Sequence, residues 1–144
     1  MLLETGLRTF LLATPELTTL IGSGASARLY PVVAPQNAAY PYAVYQRIST
    51  VRDRSTTGPT GATFARVQIT VHGKPIVEDG DGYAAVRNVA EVIRKYIDGY
   101  SGALGDVYAQ SVAIENERDE YDPSVRLYTA SFDLAVWFTE ARPA

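Results

Sequence analysis

From Ala65 to His72 apolar and polar positions alternate without a break: Ala65, Val67, Ile69 and Val71 fall on one side, Arg66, Gln68, Thr70 and His72 on the other. A period of two with one apolar side predicts a strand that buries one face. Tyr42 to Val51 carries a weaker version, with Tyr42, Val44 and Ile48 sharing a face with Gln46 while Tyr45, Arg47 and Ser49 point the other way. Near the C-terminus Tyr128, Ala130, Phe132, Leu134, Val136 and Phe138 alternate with Leu127, Thr129, Ser131, Asp133, Ala135 and Trp137. Strands are therefore expected at about 42–51, 65–72, 107–117 and 126–138.

Two segments switch to the helical period. Leu3, Leu7, Phe10 and Leu11 recur at helical spacing, and Thr14-Pro15 predicts a stop and restart, with Thr14 as N-cap of a short turn through Leu20. Tyr83, Val86, Val89, Ala90, Ile93, Tyr96 and Ile97 form a second stripe, opposite Arg87, Glu91, Arg94 and Lys95. Gly22 to Ser26 reads as a loop, Leu29-Tyr30-Pro31 as a short edge strand, and Pro35 and Pro41 break the connector after it. Arg52 to Phe64, with Gly58-Pro59 and Gly61, reads as a long polar loop, and loops of that length usually have a task. The element order α-β-β-α-β-β predicts an α+β domain over residues 1–144, a mostly antiparallel sheet with helices on one face.

Composition narrows the function classes. At 144 residues the chain suits one domain with one core. A net charge of -3 gives no general attraction for phosphate, and no local basic stripe compensates. The absence of cysteine excludes disulfides, thiolate metal sites and cysteine nucleophiles. Glu4 and Arg8 interrupt the apolar start before a signal-peptide core forms, and no apolar run approaches a membrane span, so a soluble protein without membrane association is expected.

Chemistry has few places to reside. His72 is the only histidine, which rules out a multi-histidine metal site and leaves one imidazole base. On the polar side of a strand end it reads as a surface residue. Glu115, Glu117, Asp119, Glu120 and Asp122 supply the oxygens that a hard cation or an acid/base pair requires, but Arg118 sits among them and Pro123 closes the stretch. A charged strand end and turn is the reading that spacing favours. Glu78-Asp79-Gly80-Asp81-Gly82 lacks the ligand ladder of a calcium loop and reads as a turn with an Asp cap, and Gly22-Ser23-Gly24 lacks the Gly-Lys-Ser/Thr of a phosphate loop. The ten tyrosines suit either packing or protein interfaces.

The order of segments resembles the tail terminator and tail completion proteins of long-tailed bacteriophages and gene transfer agents. The likeness runs through Leu7-Arg8-Thr9-Phe10-Leu11-Leu12, Leu29-Tyr30-Pro31, Tyr40-Pro41-Tyr42-Ala43-Val44-Tyr45-Gln46-Arg47-Ile48-Ser49, Arg66-Val67-Gln68-Ile69, the helix through Ala90 and Ile93, and the stretch from Glu117-Arg118-Asp119 to Trp137. The resemblance implies a structural virion protein, not an enzyme. It implies a homo-oligomeric ring, a hexamer, at the head-proximal end of the tail tube, ending tube growth and joining tail to head. Its implied partners are the tail tube protein and the head-tail connector or stopper, with DNA passing the channel without specific binding and with no cofactor; assembly takes place in the host cytoplasm. Contact with the tube or between subunits is expected from Arg52, Asp53, Arg54, Thr57 and Phe64, and from Glu115, Glu117, Arg118, Asp119 and Tyr121. A head-side neck adaptor, a small hydrolase built on the acidic cluster and His72, and a ligand-binding module are the competing readings.

Overall fold

The unbroken alternation from Ala65 to His72 lies at the centre of a six-stranded sheet. The computed structural model describes residues 2–74 and 82–141. Along the chain these form α1 (Leu3–Leu12), α2 (Pro15–Ile21), a 3-10 turn (Gly24–Ser26), β1 (Leu29–Pro31), β2 (Tyr42–Ser55), β3 (Gly58–Gly73), α3 (Gly82–Ile97), β4 (Gly102–Leu104), β5 (Val107–Asp122) and β6 (Leu127–Thr139). The strands lie in the order β1-β2-β3-β6-β5-β4. Every pairing is antiparallel except β1 with β2, which is parallel.

The α+β class holds, with two corrections. The sheet is mixed, and beside the edge strand expected at Leu29–Pro31 it carries an unexpected strand β4, with a helix, α2, in place of the short turn expected after Thr14. β4 is three residues long and pairs only with the start of β5, so it leaves no periodic signal. The Asp cap expected from Glu78 to Asp81 lies outside the described residues.

One apolar cluster joins the helices to one sheet face. Leu3, Leu7 and Leu11 of α1, Leu17 and Ile21 of α2, and Val86, Val89, Ala90, Ile93 and Ile97 of α3 pack with Val67, Ile69 and Val71 of β3 and Phe132, Leu134 and Val136 of β6. Tyr83 and Tyr96, expected on the buried stripe of α3, are exposed instead. Their hydroxyls bond the Asp119 and Glu16 carboxylates, which holds both rings at the surface. In β2 the faces are reversed relative to expectation. Ala43 and Tyr45 are buried and Ile48 is exposed, because the residue that continues the core side, Arg47, satisfies its guanidinium on Glu4 of α1 at 2.6 Å. Thr14 does stand before α2, but its hydroxyl donates back to the Phe10 carbonyl at 3.4 Å and makes no cap bond.

α1 approaches β4 closely. Gly6 is buried against the Leu104 carbonyl, and a Cβ there would lie 2.0 Å from that oxygen. Glycine is what allows the helix to reach the strand.

Candidate functional site

The two segments expected to make contacts are arms of β-hairpins. β2 and β3 stay paired to Ser55 opposite Gly58, so Arg52 to Phe64 is a hairpin with a turn at Thr56-Thr57, in place of the loop expected from its glycines and proline. The reason is visible in the register. β6 pairs with β3 only as far as Ala62 opposite Thr139, so Pro59 and Gly58 sit on a two-stranded arm, where proline and glycine are tolerated. Likewise β5 continues to Asp122, opposite Leu127, so Glu117 to Asp122 is strand in place of the expected turn. A bulge between Glu115 and Arg118, with Asn116 at φ 54°, interrupts the pairing before the last stretch of β5.

The arms point in opposite directions. Gln46, Gln68, Asp133 and Glu115 lie in one row across β2, β3, β6 and β5. From that row β2 runs to its tip at one end of the sheet, and β5 runs to its tip at the other. The structure therefore separates the expected contact residues into two groups and does not bring them together.

The first group surrounds an apolar patch. Phe64 and Trp137 rings meet at 4.8 Å with 51° between planes, and Val51 beside them is 64% exposed and Trp137 43%. Arg52 bonds Glu140, which also accepts from Thr63 Oγ1 at 3.0 Å. That arginine holds the Glu140 carboxyl below its ordinary value, and the carboxylate raises Arg52 in return. Asp53 accepts from Thr60 Oγ1 at 3.0 Å. Thr57 shares a hydrogen bond with Ser55 at the turn, 3.0 Å apart. An open groove of about 680 Å³ lies along Val51, Arg52, Arg54, Phe64, Trp137 and Phe138. Trp137 was legible as a residue of the outer face from the alternation of β6; its partnership with Phe64 depends on register.

The second group is a network of carboxylates held by arginines. Arg87 of α3 donates to Asp119 Oδ1 at 2.9 Å and Glu117 Oε1 at 3.2 Å, and also to Glu91. Tyr83 donates to Asp119 Oδ2 at 2.5 Å, which raises its own pKa. Burial alone would lower Arg87, but Glu117 and Asp119 outweigh it and raise its pKa. Arg66 of β3 donates to Glu115 Oε2 at 2.9 Å and lies 3.6 Å from Asp133 Oδ2. Arg118 pairs with Glu120 at 3.3 Å, and Tyr121 packs on Tyr128 at 4.7 Å. Arg66, Tyr83 and Arg87 are assigned in the sequence only to the faces of their own strand and helix, because their carboxylate partners come from elements distant along the chain.

This arrangement does not suit acid/base or metal chemistry. Glu115, Glu117 and Asp119 each face a guanidinium, which holds them as charge partners. Among the described residues no group of three or more His, Cys, Asp and Glu side chains is placed to hold a metal ion. His72 stacks on Tyr42, with ring centroids 4.9 Å apart, on the outer face of the sheet, and burial lowers its pKa. Among the described residues no helix is long and apolar enough to cross a membrane.

Comparison with known proteins bears on the same span of chain. The family model described as tail completion protein gp17 matches residues 5–139. No curated protein matches significantly by sequence. Among solved structures, a chain from the virion of a native gene transfer agent particle superposes with a TM-score of 0.73 at 14% identity, covering 96% of this chain and 95% of that one. A second solved structure superposes with a TM-score of 0.61 at 14% identity, covering 97% and 98%.

Proposed function

Because the chain belongs to the tail completion protein gp17 family, we propose that it is a structural subunit of a phage or gene transfer agent virion. Six copies form a ring at the head-proximal end of the tail tube, end tube polymerisation and join the tail to the head. The observation that carries this reading is the family match along residues 5–139; the fold shared with a gene transfer agent virion chain supports it. Residues 1–144 act as one domain in this role, without a cofactor and without catalysis.

The physics of the surface is compatible with a ring. A closed ring uses a heterologous contact, one patch meeting a different one. The subunit presents two different patches: Arg52, Asp53, Arg54, Thr57 and Phe64 toward one end of its sheet, and Glu117, Arg118, Asp119 and Tyr121 toward the other, with Glu115 in the middle row beside them. These patches serve contacts to the next subunit, to the tail tube protein and to the head-tail connector or stopper. A net charge of -3 leaves no strong attraction for DNA sliding through the channel.

Electron microscopy of particles produced without this gene tests the reading. Overlong tails without heads are the expected result. Tails of normal length detached from heads favour a head-side neck adaptor, and complete normal particles overturn both.

A further inference from the structure

The sheet leaves two stretches of backbone edge without a strand beside them. On β2, β1 pairs only with Ala43 to Tyr45, and the Val32 amide bonds the Tyr45 carbonyl at 2.9 Å. From Gln46 to Ser55 that edge has no neighbouring strand among the described residues. On β5, β4 covers Val107 to Ala109, and Gly99, Tyr100 and Asp98 then bond Val112 and Ile114. From Glu115 to Asp122 that edge, too, has no neighbouring strand among the described residues. Such rows of unpaired N–H and C=O groups are templates for another strand.

Resting on the ring reading above, we propose that the partner at each open edge is a second copy of this chain, the β5 edge of one subunit pairing with the β2 edge of the next. Charge selects this combination. Gln46 to Ser55 carries Arg47, Arg52 and Arg54 against Asp53, a net of +2. Glu115 to Asp122 carries Glu115, Glu117, Asp119, Glu120 and Asp122 against Arg118, a net of -4. Part of each charge is met inside the subunit, Arg47 by Glu4, Arg52 by Glu140, Glu115 by Arg66, Glu117 and Asp119 by Arg87, and Glu120 by Arg118. Arg54 has no ion pair among the described residues, Asp122 accepts from Ser124, and Glu120, although paired with Arg118 of its own strand, is two-thirds exposed, so the two edges still present opposite signs. Two β2 edges repel each other, as do two β5 edges, so a two-fold contact through either is disfavoured, whereas the head-to-tail pairing is attractive.

Strand direction agrees. β2 and β5 run opposite ways along the sheet, so copies in the same orientation bring the two edges together antiparallel, the more stable ladder. Bulges confine the regular part of each edge to Ser49–Arg52 on β2 and Arg118–Asp122 on β5. A short bracketed run accepts one partner strand and discourages indefinite sheet growth. The open stretches also lie on opposite sides of the row through Gln46 and Glu115, so neighbours are displaced along the strands by roughly 8 residues, about 26 Å. In a closed ring that displacement cannot accumulate along the axis, so the strands must be inclined to it.

Charge reversal with complementation tests the pairing. Particles are made without the chromosomal gene and supplied with the wild-type chain, Arg54→Glu, Glu120→Arg, or both reversals in one chain, and complete particles are counted. Each single reversal is expected to lower the yield at least about tenfold, because a loss at one contact is repeated at every contact of the ring; the double reversal restores most of it. Thermal unfolding of each purified variant must match the wild type, which separates contact from folding. If the gene is needed but both single reversals complement fully, or the double variant does no better than the singles, the edge pairing is overturned and the ring reading stands. If particles lacking the gene are complete and normal, the ring reading itself falls.

Discussion

Replacing Gly6 by alanine sets two opposing effects against each other at one atom. In a helix interior alanine is favoured over glycine by about 1 kcal/mol, so propensity alone predicts a more stable protein. The added Cβ, however, would stand 2.0 Å from the Leu104 oxygen and 2.5 Å from its carbonyl carbon, roughly 1.4 Å short of ordinary contact. Neither atom belongs to a side chain that can rotate away. Leu104 is fixed by the β4 pairing to Val107, and α1 is fixed by Leu3, Leu7 and Leu11, all buried. Forcing a methyl group into a packed interior costs about 1–3 kcal/mol and sometimes more, and a backbone on both sides places this case at the upper end. The net expectation is a loss of about 2 kcal/mol, or about 6 °C in melting temperature for a domain of this size. Thermal and urea unfolding measure it, with Thr5→Ala, an exposed neighbour on the same helix, expected to change stability by no more than a few tenths of a kcal/mol. A Gly6→Ala protein as stable as the wild type, or more so, would refute the close approach of α1 to β4.

Two further perturbations probe electrostatics. Arg87→Gln leaves Glu91, Glu117 and Asp119 without their shared guanidinium; the site is partly exposed, so a loss of about 1–2 kcal/mol is expected in urea unfolding at low salt, shrinking in 1 M NaCl. An unchanged difference at high salt would mean that packing, not charge, dominates at that position. His72 has its pKa lowered by burial, so below the unfolded value of about 6.5 the unfolded chain binds the proton more readily. Its contribution to stability is full above that pH and declines as pH falls through the folded pKa. The wild type is thus expected to lose more melting temperature than His72→Gln between pH 7.5 and 5, and equal losses would show that burial does not depress this histidine.

What sequence could reveal follows from where each residue finds its partners. β3, β6 and α3 were legible because a single chain segment carries the alternation or stripe that the core requires. The hairpin arms were not. Arg52 to Phe64 and Glu117 to Asp122 are polar, include proline or glycine, and have little burial to impose a period; pairing with the opposite arm makes them strands, and that information is not local. β2 was given the wrong face because Arg47 looks like a surface residue until Glu4 of α1 is placed beside it. The candidate contact residues are exposed or half-buried strand positions, and their separation into two groups along the sheet depends on the register, which no single segment carries. Arg87, which organises the acidic arm, lies thirty residues from Glu117 and leaves no trace in that segment.

The β2–β3 arm extends past its last pair with β6, Ala62 opposite Thr139, and this frees its length. Adding one residue to each side of an arm keeps the pairing, lengthens it by about 3.3 Å and turns the tip's charges to the opposite face. Adding two to each side restores the facing and extends the reach by roughly 7 Å. The core residues from Ala65 to Val71 and from Ala130 to Val136 are untouched by either change. A lineage of such proteins can therefore change the reach of this arm in steps, while the folded body stays the same.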